Sequence, residues 1–356
     1  MGVRYIGSKA RVADAIVDLA EPAGDGRFVD AFSGTGSVAA VAAARGWAVT
    51  LNDSLPSAVS MSVGAVIGQN DVAFTEIGGY DRAITLLNEI EGEPGFLHSQ
   101  YSPASLQTAG VERRYFTEEN AARLDAMRNQ IQFWSQSGAI GENEEHLLLA
   151  DLMQAANSVA NIAGTYGCFL KNWTAIARRS VSVTPRALPS GRTDFHAAVG
   201  DVFSLMTTSE DTVYFDPPYT KRQYGAYYHI LETLHAGDRP EVGGVTGLRP
   251  WRDKASDFCY KSRALDTLTR LVLSTEAKKI LLSYSNEGHV PQEQLINALS
   301  ETGGVTVHEI SAIGRYRPNA QASAAGDTVN EYVIEISPVR FGSAASGAIA
   351  SQVVYA

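Results

Sequence analysis

Asp216-Pro217-Pro218-Tyr219 follows the apolar run Val213-Tyr214-Phe215 and carries the sharpest chemical signal in the chain. Two prolines at the carboxyl end of a strand fix a rigid, extended turn and leave the Pro217 carbonyl without competing local structure. A carboxylate beside a carbonyl can accept the two hydrogens of an exocyclic amine. The amino nitrogen of adenine is a poor nucleophile because its lone pair is delocalised into the ring. Gripping both hydrogens favours the pyramidal form, whose lone pair can point at a methyl donor. Tyr219 adds a flat face for stacking a base. Such chemistry is positioning and electrostatics, with no covalent intermediate. Methylation at cytosine C5 would need a cysteine in a Pro-Cys context, but Gly167 precedes Cys168 and Phe258 precedes Cys259. The competing reading of the motif is a rigid turn that only ends a buried strand.

A second constellation lies upstream, at Asp30-Ala31-Phe32-Ser33-Gly34-Thr35-Gly36. Gly34 and Gly36 let the backbone pass close to a ligand at a helix start. The turn lacks the third glycine of a dinucleotide site and the lysine of a phosphate loop. Asp30 would repel a pyrophosphate but could pair with an ammonium group, and Asp53 stands where a carboxylate can grip a ribose diol. Two charge-assisted hydrogen bonds of this kind are worth about 1.5–3 kcal/mol each. A nucleoside that carries an amino acid and no phosphate fits, and S-adenosyl-L-methionine is such a molecule. A structural turn in another Rossmann-like protein is the alternative.

These residues need strands to hold them. Arg27 to Phe32 reads as a buried strand, Val38 to Arg45 as a helix and Ala48 to Asn52 as a second strand, which together make a βαβ opening. Ala10 to Leu19 suits an amphipathic helix. Thr117 can cap a helix with Glu118 and Glu119 in its first turn and Leu124, Met127, Ile131 and Trp134 on one face. Another helix runs from Glu144 to about Val159. Strands return at Thr212–Phe215, Lys279–Tyr284, Val305–Ile310 and Tyr332–Ile336, alternating with helices at Ala264–Thr275 and Pro291–Glu301. The pattern predicts an α/β fold: a Rossmann-like, mostly parallel sheet with a mainly helical insertion. Residues 1–70 and 195–340 would form the catalytic domain, 71–194 the insertion, and 341–356 a small-residue tail that adds little.

The 356 residues are 45% hydrophobic and 19% charged, a globular composition, and no apolar run is long enough to span a bilayer. The N-terminus has no apolar stretch of the secretory kind. Two distant cysteines argue against a disulfide framework or a metal site and point to a reducing cytoplasm. The net charge of −10 speaks against a nucleic-acid partner, but its distribution does not. Lys171, Arg178, Arg179, Arg186 and Arg192 fall in a stretch from 152 to 193 that holds no acidic residue. Lys221 with Arg222, Arg249 with Arg252 and Lys254, and Arg315 with Arg317 add smaller basic groups. A basic groove on an acidic body can arise from such segregation, as can ordinary surface scatter. Arg178 and Arg179 could meet phosphate or a guanine edge, or end a solvated helix. The stretch around Arg249-Pro250-Trp251-Arg252, after Gly243-Gly244, reads as a mobile segment that closes on DNA. His229, His235, His289 and His308 show no ligand spacing.

Taken together, the motifs resemble those of the Dam-like, alpha-group adenine-specific DNA methyltransferases. Arg4-Tyr5-Ile6-Gly7-Ser8-Lys9, the Asp30-to-Gly36 turn, Asn52-Asp53 and Asp216-Pro217-Pro218-Tyr219 match in type and order, as do Arg222-Gln223-Tyr224, Tyr228-His229-Ile230-Leu231-Glu232-Thr233 and Leu282-Ser283-Tyr284-Ser285-Asn286-Glu287-Gly288. The resemblance implies that Tyr5 and Lys9 sit over the methionine end of the cofactor, with the Lys9 ammonium near its carboxylate. It implies that Asp30, Phe32, Ser33, Gly34 and Gly36 line the same pocket and that Asp53 holds the ribose. Asp201 and Val202 would meet the cofactor's adenine, and Asp216 and Tyr219 the flipped target base. Tyr224, Tyr227 and Tyr228 would cluster near that base, with core packing as the other reading. The insertion would recognise the target in double-stranded DNA, with Lys171, Arg178, Arg179, Lys221, Arg222, Tyr224, Arg249 and Arg252 as candidate contacts. A cognate restriction endonuclease is the partner this setting implies. Transfer to an RNA adenine or another amino group, and a non-catalytic DNA-binding subunit, are the alternatives.

Overall fold

The computed structural model describes residues 7–310, 331–338 and 354–355. Tyr5, Arg315 and Arg317 therefore lie outside the described residues. Among the described residues, eight strands form one sheet: β1 (Phe28–Asp30), β2 (Val49–Asp53), β3 (Phe195–Val199), β4 (Thr212–Phe215), β5 (Lys279–Ser285), β6 (Gly303–Ile310), β7 (Glu331–Pro338) and β8 (Val354–Tyr355). Their order is β3-β2-β1-β4-β5-β7-β6-β8. Only β7 runs antiparallel to its neighbours, β5 and β6. The strand order turns back between β1 and β4, where an open α/β sheet leaves a crevice at its carboxyl edge.

Residue alternation assigns the two faces of the sheet. Phe28, Tyr214 and Leu281 point into one apolar core, and Val29, Val213, Phe215, Ile280 and Leu282 into the other. The second face is covered by α11 (Ala264–Ser274) and α12 (Gln292–Ser300). The first carries α1 (Ala13–Asp18), α2 (Ser37–Ala44) and α3 (Pro56–Val66), the last opened by a proline whose missing N–H costs nothing at that position. The helices α4 (Tyr80–Glu89), α5 (Phe96–Tyr101), α7 (Glu118–Gln136) and α8 (Glu142–Val159) continue this core, as does α10 (His229–Ala236), which follows the short α9 (Tyr224–Tyr227), whereas α6 (Ser105–Ala109) packs on α5. The short β8 shows that the tail does contribute, since it pairs with β6.

Thr117 caps α7 as its sequence predicts, its side chain accepting from the Asn120 N–H, and Leu124, Met127, Ile131 and Trp134 are buried. The helices of the insertion end at Val159, and residues 160–194 form no helix or strand. Side-chain amides satisfy this strand-like strap where no backbone partner exists. Asn120 accepts from the Val181 N–H, Asn88 from the Val183 N–H, and Asn161 from the Thr174 N–H. Arg178 and Arg179 accordingly sit on turns and do not end a helix.

Candidate active site

Parallel strands bring the motif carboxylates together. Asp30 ends β1, Asp53 ends β2 and Asp216 follows β4, so all three reach the same edge of the sheet. They line one cavity together with Lys9, Phe32, Ser33, Gly34, Pro218 and Tyr224. Asp53 is fixed from both sides: Oδ2 accepts from the Gly34 N–H at 3.1 Å and Oδ1 from the Leu55 N–H at 3.0 Å. Gly34 adopts the left-handed φ of 51° that turns its N–H toward Asp53. Gly36 serves differently from its expected role. It is not on the cavity wall, and a Cβ on it would lie 2.6 Å from Ser62 Cα. Its missing side chain lets α2 and α3 approach.

The carboxylates differ in how they are satisfied. Asp30 is 2% exposed, and its Oδ1 has no hydrogen-bond partner among the described residues. Burial, then the nearby charges of Asp216 and Asp53, push its pKa up to about 8. Burial raises Asp53 to about 6 against the pull of its backbone donors. An unfilled acceptor on a buried carboxylate is what a ligand ammonium would complete.

Asp216 is the contrast. The Lys9 ammonium lies 2.9 Å from its Oδ1, 3.9 Å from Glu331 Oε1 and 5.5 Å from the centre of the Tyr219 ring. Lys9, which the resemblance places near a ligand carboxylate, has its ammonium held by Asp216 in the ligand-free chain. Burial alone would lower the Lys9 pKa, but Asp216, Tyr219 and Glu331 together hold it well above the ordinary lysine value. Burial raises Asp216 while Lys9 opposes that rise. Pro217 is buried beneath the turn, Pro218 lines the cavity, and the Tyr219 ring packs 5.4 Å from Tyr284. A carboxylate, a rigid turn and an aromatic ring thus frame a space suited to a planar amine.

A second hollow adjoins the first and shares Phe32, Ser54, Lys254 and Ser256 with it. Asp201 and Val202 line it. Asp201 caps a single 3-10 turn by accepting from the Phe203 N–H at 3.1 Å. Phe32 meets Phe258 edge-on at 5.5 Å, and Phe203 stacks on Phe258. The apolar side of this hollow, formed by Phe32, Val202, Phe203 and Phe258, with the Asp201 carboxylate also on its wall, is suited to a flat heterocycle bearing an amino group.

Two residues near the site have roles that the sequence did not assign. Glu331 opens β7, and no spacing tied it to Lys9. Gln223 locks Ser256 to the wall, donating to its carbonyl and accepting from its N–H. The segment that carries this wall, read from the sequence as one that closes on DNA, is tied to the rest of the chain by hydrogen bonds and an ion pair. Buried Arg113 donates to the carbonyls of Gly244 and Val245, Tyr101 to that of Gly247, and Lys254 pairs with Glu232 at 3.1 Å. Arg249 is likewise used internally, 2.8 Å from Asp238. Arg186 belongs to an ion pair with Asp151. Lys171, Arg178, Arg179, Lys221, Arg222 and Arg252 are exposed. Tyr228 is buried core, whereas Tyr224 reaches the cavity.

Residues 5–297 match the family described as D12 class N6 adenine-specific DNA methyltransferase. The chain is 32% identical over 345 residues to the Type II methyltransferase M.FokI of Planomicrobium okeanokoites, covering 94% of this chain and 52% of that one. It is 30% identical to the modification methylase StsI of Streptococcus sanguinis over 84% of this chain and 46% of that one. With the Type II methyltransferase M.NlaIII of Neisseria lactamica the identity is 33%, over 80% of this chain and 84% of the relative. The chain therefore spans about half the length of the first two relatives and most of the third.

Proposed function

Because the chain belongs to the D12 class N6 adenine-specific DNA methyltransferase family, we propose that it methylates N6 of an adenine flipped out of double-stranded DNA, with S-adenosyl-L-methionine as donor. The observation that carries this reading is the pairing of two unlike carboxylates on one cavity: buried Asp30 with an unfilled oxygen, and Asp216 on the rigid proline turn. Asp30 suits the cofactor's ammonium, Asp53 its ribose, and the hollow of Asp201, Val202 and Phe32 its adenine. When bound, the cofactor supplies a methyl group on a sulfonium. The protein's part is to hold the amine. Asp216 and the Pro217 carbonyl take the two N6 hydrogens, and Asp216 later accepts one as a proton. Flipping costs a few kcal/mol, which stacking and hydrogen bonding in the pocket offset.

The order of the motifs, with the glycine turn and insertion ahead of Asp-Pro-Pro-Tyr, supports a place in the Dam-like alpha group. The insertion, 71–194, is the proposed target-recognition region, and exposed Lys171, Arg178 and Arg179 are its proposed phosphate contacts. The relatives named as Type II and modification methylases support a restriction–modification setting with a partner endonuclease. Two unbridged cysteines fit a cytoplasmic setting. No helix among the described residues is long and apolar enough to cross a membrane.

The test is transfer of a tritiated methyl group to plasmid DNA, followed by digestion to nucleosides. N6-methyldeoxyadenosine is expected as the product, with structured RNA a poor competitor. Asp216→Ala should lower the rate by about 10²-fold or more while calorimetry still detects cofactor binding. Label found on RNA, or a variant that turns over normally, would refute this reading.

A further inference from the structure

We infer that Glu331 is a positioning residue for the transfer, a second counter-ion that keeps the Lys9 ammonium in place when Asp216 loses its charge. This rests on the reading of Asp216 given above. Lys9 is 5% exposed and lies between two carboxylates, 2.9 Å from Asp216 and 3.9 Å from Glu331. Glu331 is the first residue of the antiparallel strand and sits opposite Ser285, at the end of β5. Among the described residues, Lys9 is the cation it pairs with. The strand's packing is carried by Tyr332, Val333, Ile334 and Ile336, which are buried.

The need for such a residue follows from the proton balance. The amine begins with two protons and ends with one. The proton released from N6 passes to Asp216, so N6 returns to neutrality and the carboxylate goes from −1 to 0. At that moment the ion pair of Lys9 with Asp216 no longer exists. A buried ammonium left without a counter-ion would oppose the step strongly. With Glu331 present, the flexible lysine stem needs only to close a 3.9 Å gap, and a neutral pair persists throughout. The other charged and titratable groups facing this cluster are Asp30 at the end of β1, Asp53 at the end of β2, Tyr214 on β4, Tyr219 after it and Tyr224 on α9. None of these is ion-paired with Lys9 among the described residues.

The experiment compares wild type, Glu331→Gln and Glu331→Asp in single-turnover transfer to plasmid DNA free of adenine methylation. The Gln variant should melt like wild type and lose about tenfold or more in rate with little change in KM. Removing a like charge lowers the pKa of its neighbour, so the acid limb of its rate profile should move to lower pH. The same shift is expected without any ligand, in the ¹³C-carboxyl NMR titration of Asp216. Unchanged rate, profile and titration in a folded Gln variant overturn the inference. The Asp variant keeps the charge and decides the matter if the Gln variant does not fold. Its rate should stay within about fivefold of wild type, and a larger loss also overturns the inference. Failure of the wild-type chain to methylate DNA would instead count against the proposed function, with the Asp216 titration still testing the pair.

Discussion

The two rims of the cavity treat charge in opposite ways. On the β1–β2 rim, Asp30 and Asp53 face the cavity without an ion pair among the described residues, and burial raises both pKa values. On the β4 rim, Asp216 shares Lys9 with Glu331, the first residue of β7. One rim is built at a cost that a cationic ligand can relieve. The other is self-contained, so its groups must be redistributed during the reaction. A group that the protein leaves unsatisfied reports on a ligand, and a group that it satisfies reports on a step.

The largest expected effect that separates the rims is on stability. Asp216→Asn should destabilise the protein, because it removes the nearer counter-ion of a buried lysine; about 3 kcal/mol is the scale for breaking a buried pair, less whatever Glu331 restores. Asp30→Asn should stabilise the ligand-free protein, because it removes a buried charge that burial penalises more than its backbone donors, Ala39 and Phe32, relieve. Denaturant unfolding at pH 8.5 checks both (about pH 8 is where Asp30 titrates). If the two variants shift stability in the same direction, the contrast between the rims is broken.

The second effect is the pH dependence of that gain. Asp30 holds its proton up to about pH 8 in the folded chain but loses it near the ordinary aspartate pKa when unfolded. Between those values the folded state binds more protons, so this group makes stability fall as pH rises, by at most about 1.4 kcal/mol per unit. The slope should level off above pH 8 and be flatter in Asp30→Asn. Cofactor binding should show the opposite trend. The ammonium needs the ionised carboxylate, so affinity should strengthen toward pH 8 in wild type and lose that component in the variant. Isothermal titration at several pH values, in buffers of different ionisation heat, would also detect the proton released on binding.

How much of this was legible in the sequence depended on whether a residue's partners were local. Asp30, Asp53 and Asp216 could be read because each ends a short apolar strand, and parallel strands put such residues on one edge. The Thr117 cap and the buried stripe of α7 were legible for the same reason. Glu331 was not, since its meaning comes from an antiparallel strand that returns its first residue to Lys9 across the sheet. Gly36 looked like a ligand-facing glycine because close approach to a ligand and close approach to α3 leave the same mark on the sequence. The strap from 160 to 194 defeated periodicity because isolated hydrogen bonds, several of them from asparagine side chains, satisfy it in place of a regular backbone ladder.

The smallest expected effect extends the contrast between free and satisfied charge to the surface. Arg249 looked equivalent to Arg178 and Arg179 as a basic residue, yet Asp238 and the Thr233 hydroxyl occupy its guanidinium. Arg178 and Arg179 are exposed on turns of the strap, and no ion pair is drawn to either among the described residues. Arg178→Ala and Arg179→Ala should therefore weaken DNA binding and each reduce the slope of log affinity against log salt by about 0.9. Arg249→Ala should leave that slope unchanged, and its cost should fall on stability at the scale of a partly exposed pair, below about 1 kcal/mol. Fluorescence anisotropy with a labelled duplex between 50 and 200 mM salt separates the cases. A salt slope that drops for Arg249→Ala and holds for the other two would mean that the Asp238 pair opens on DNA, and that the 160–194 strap lies away from it.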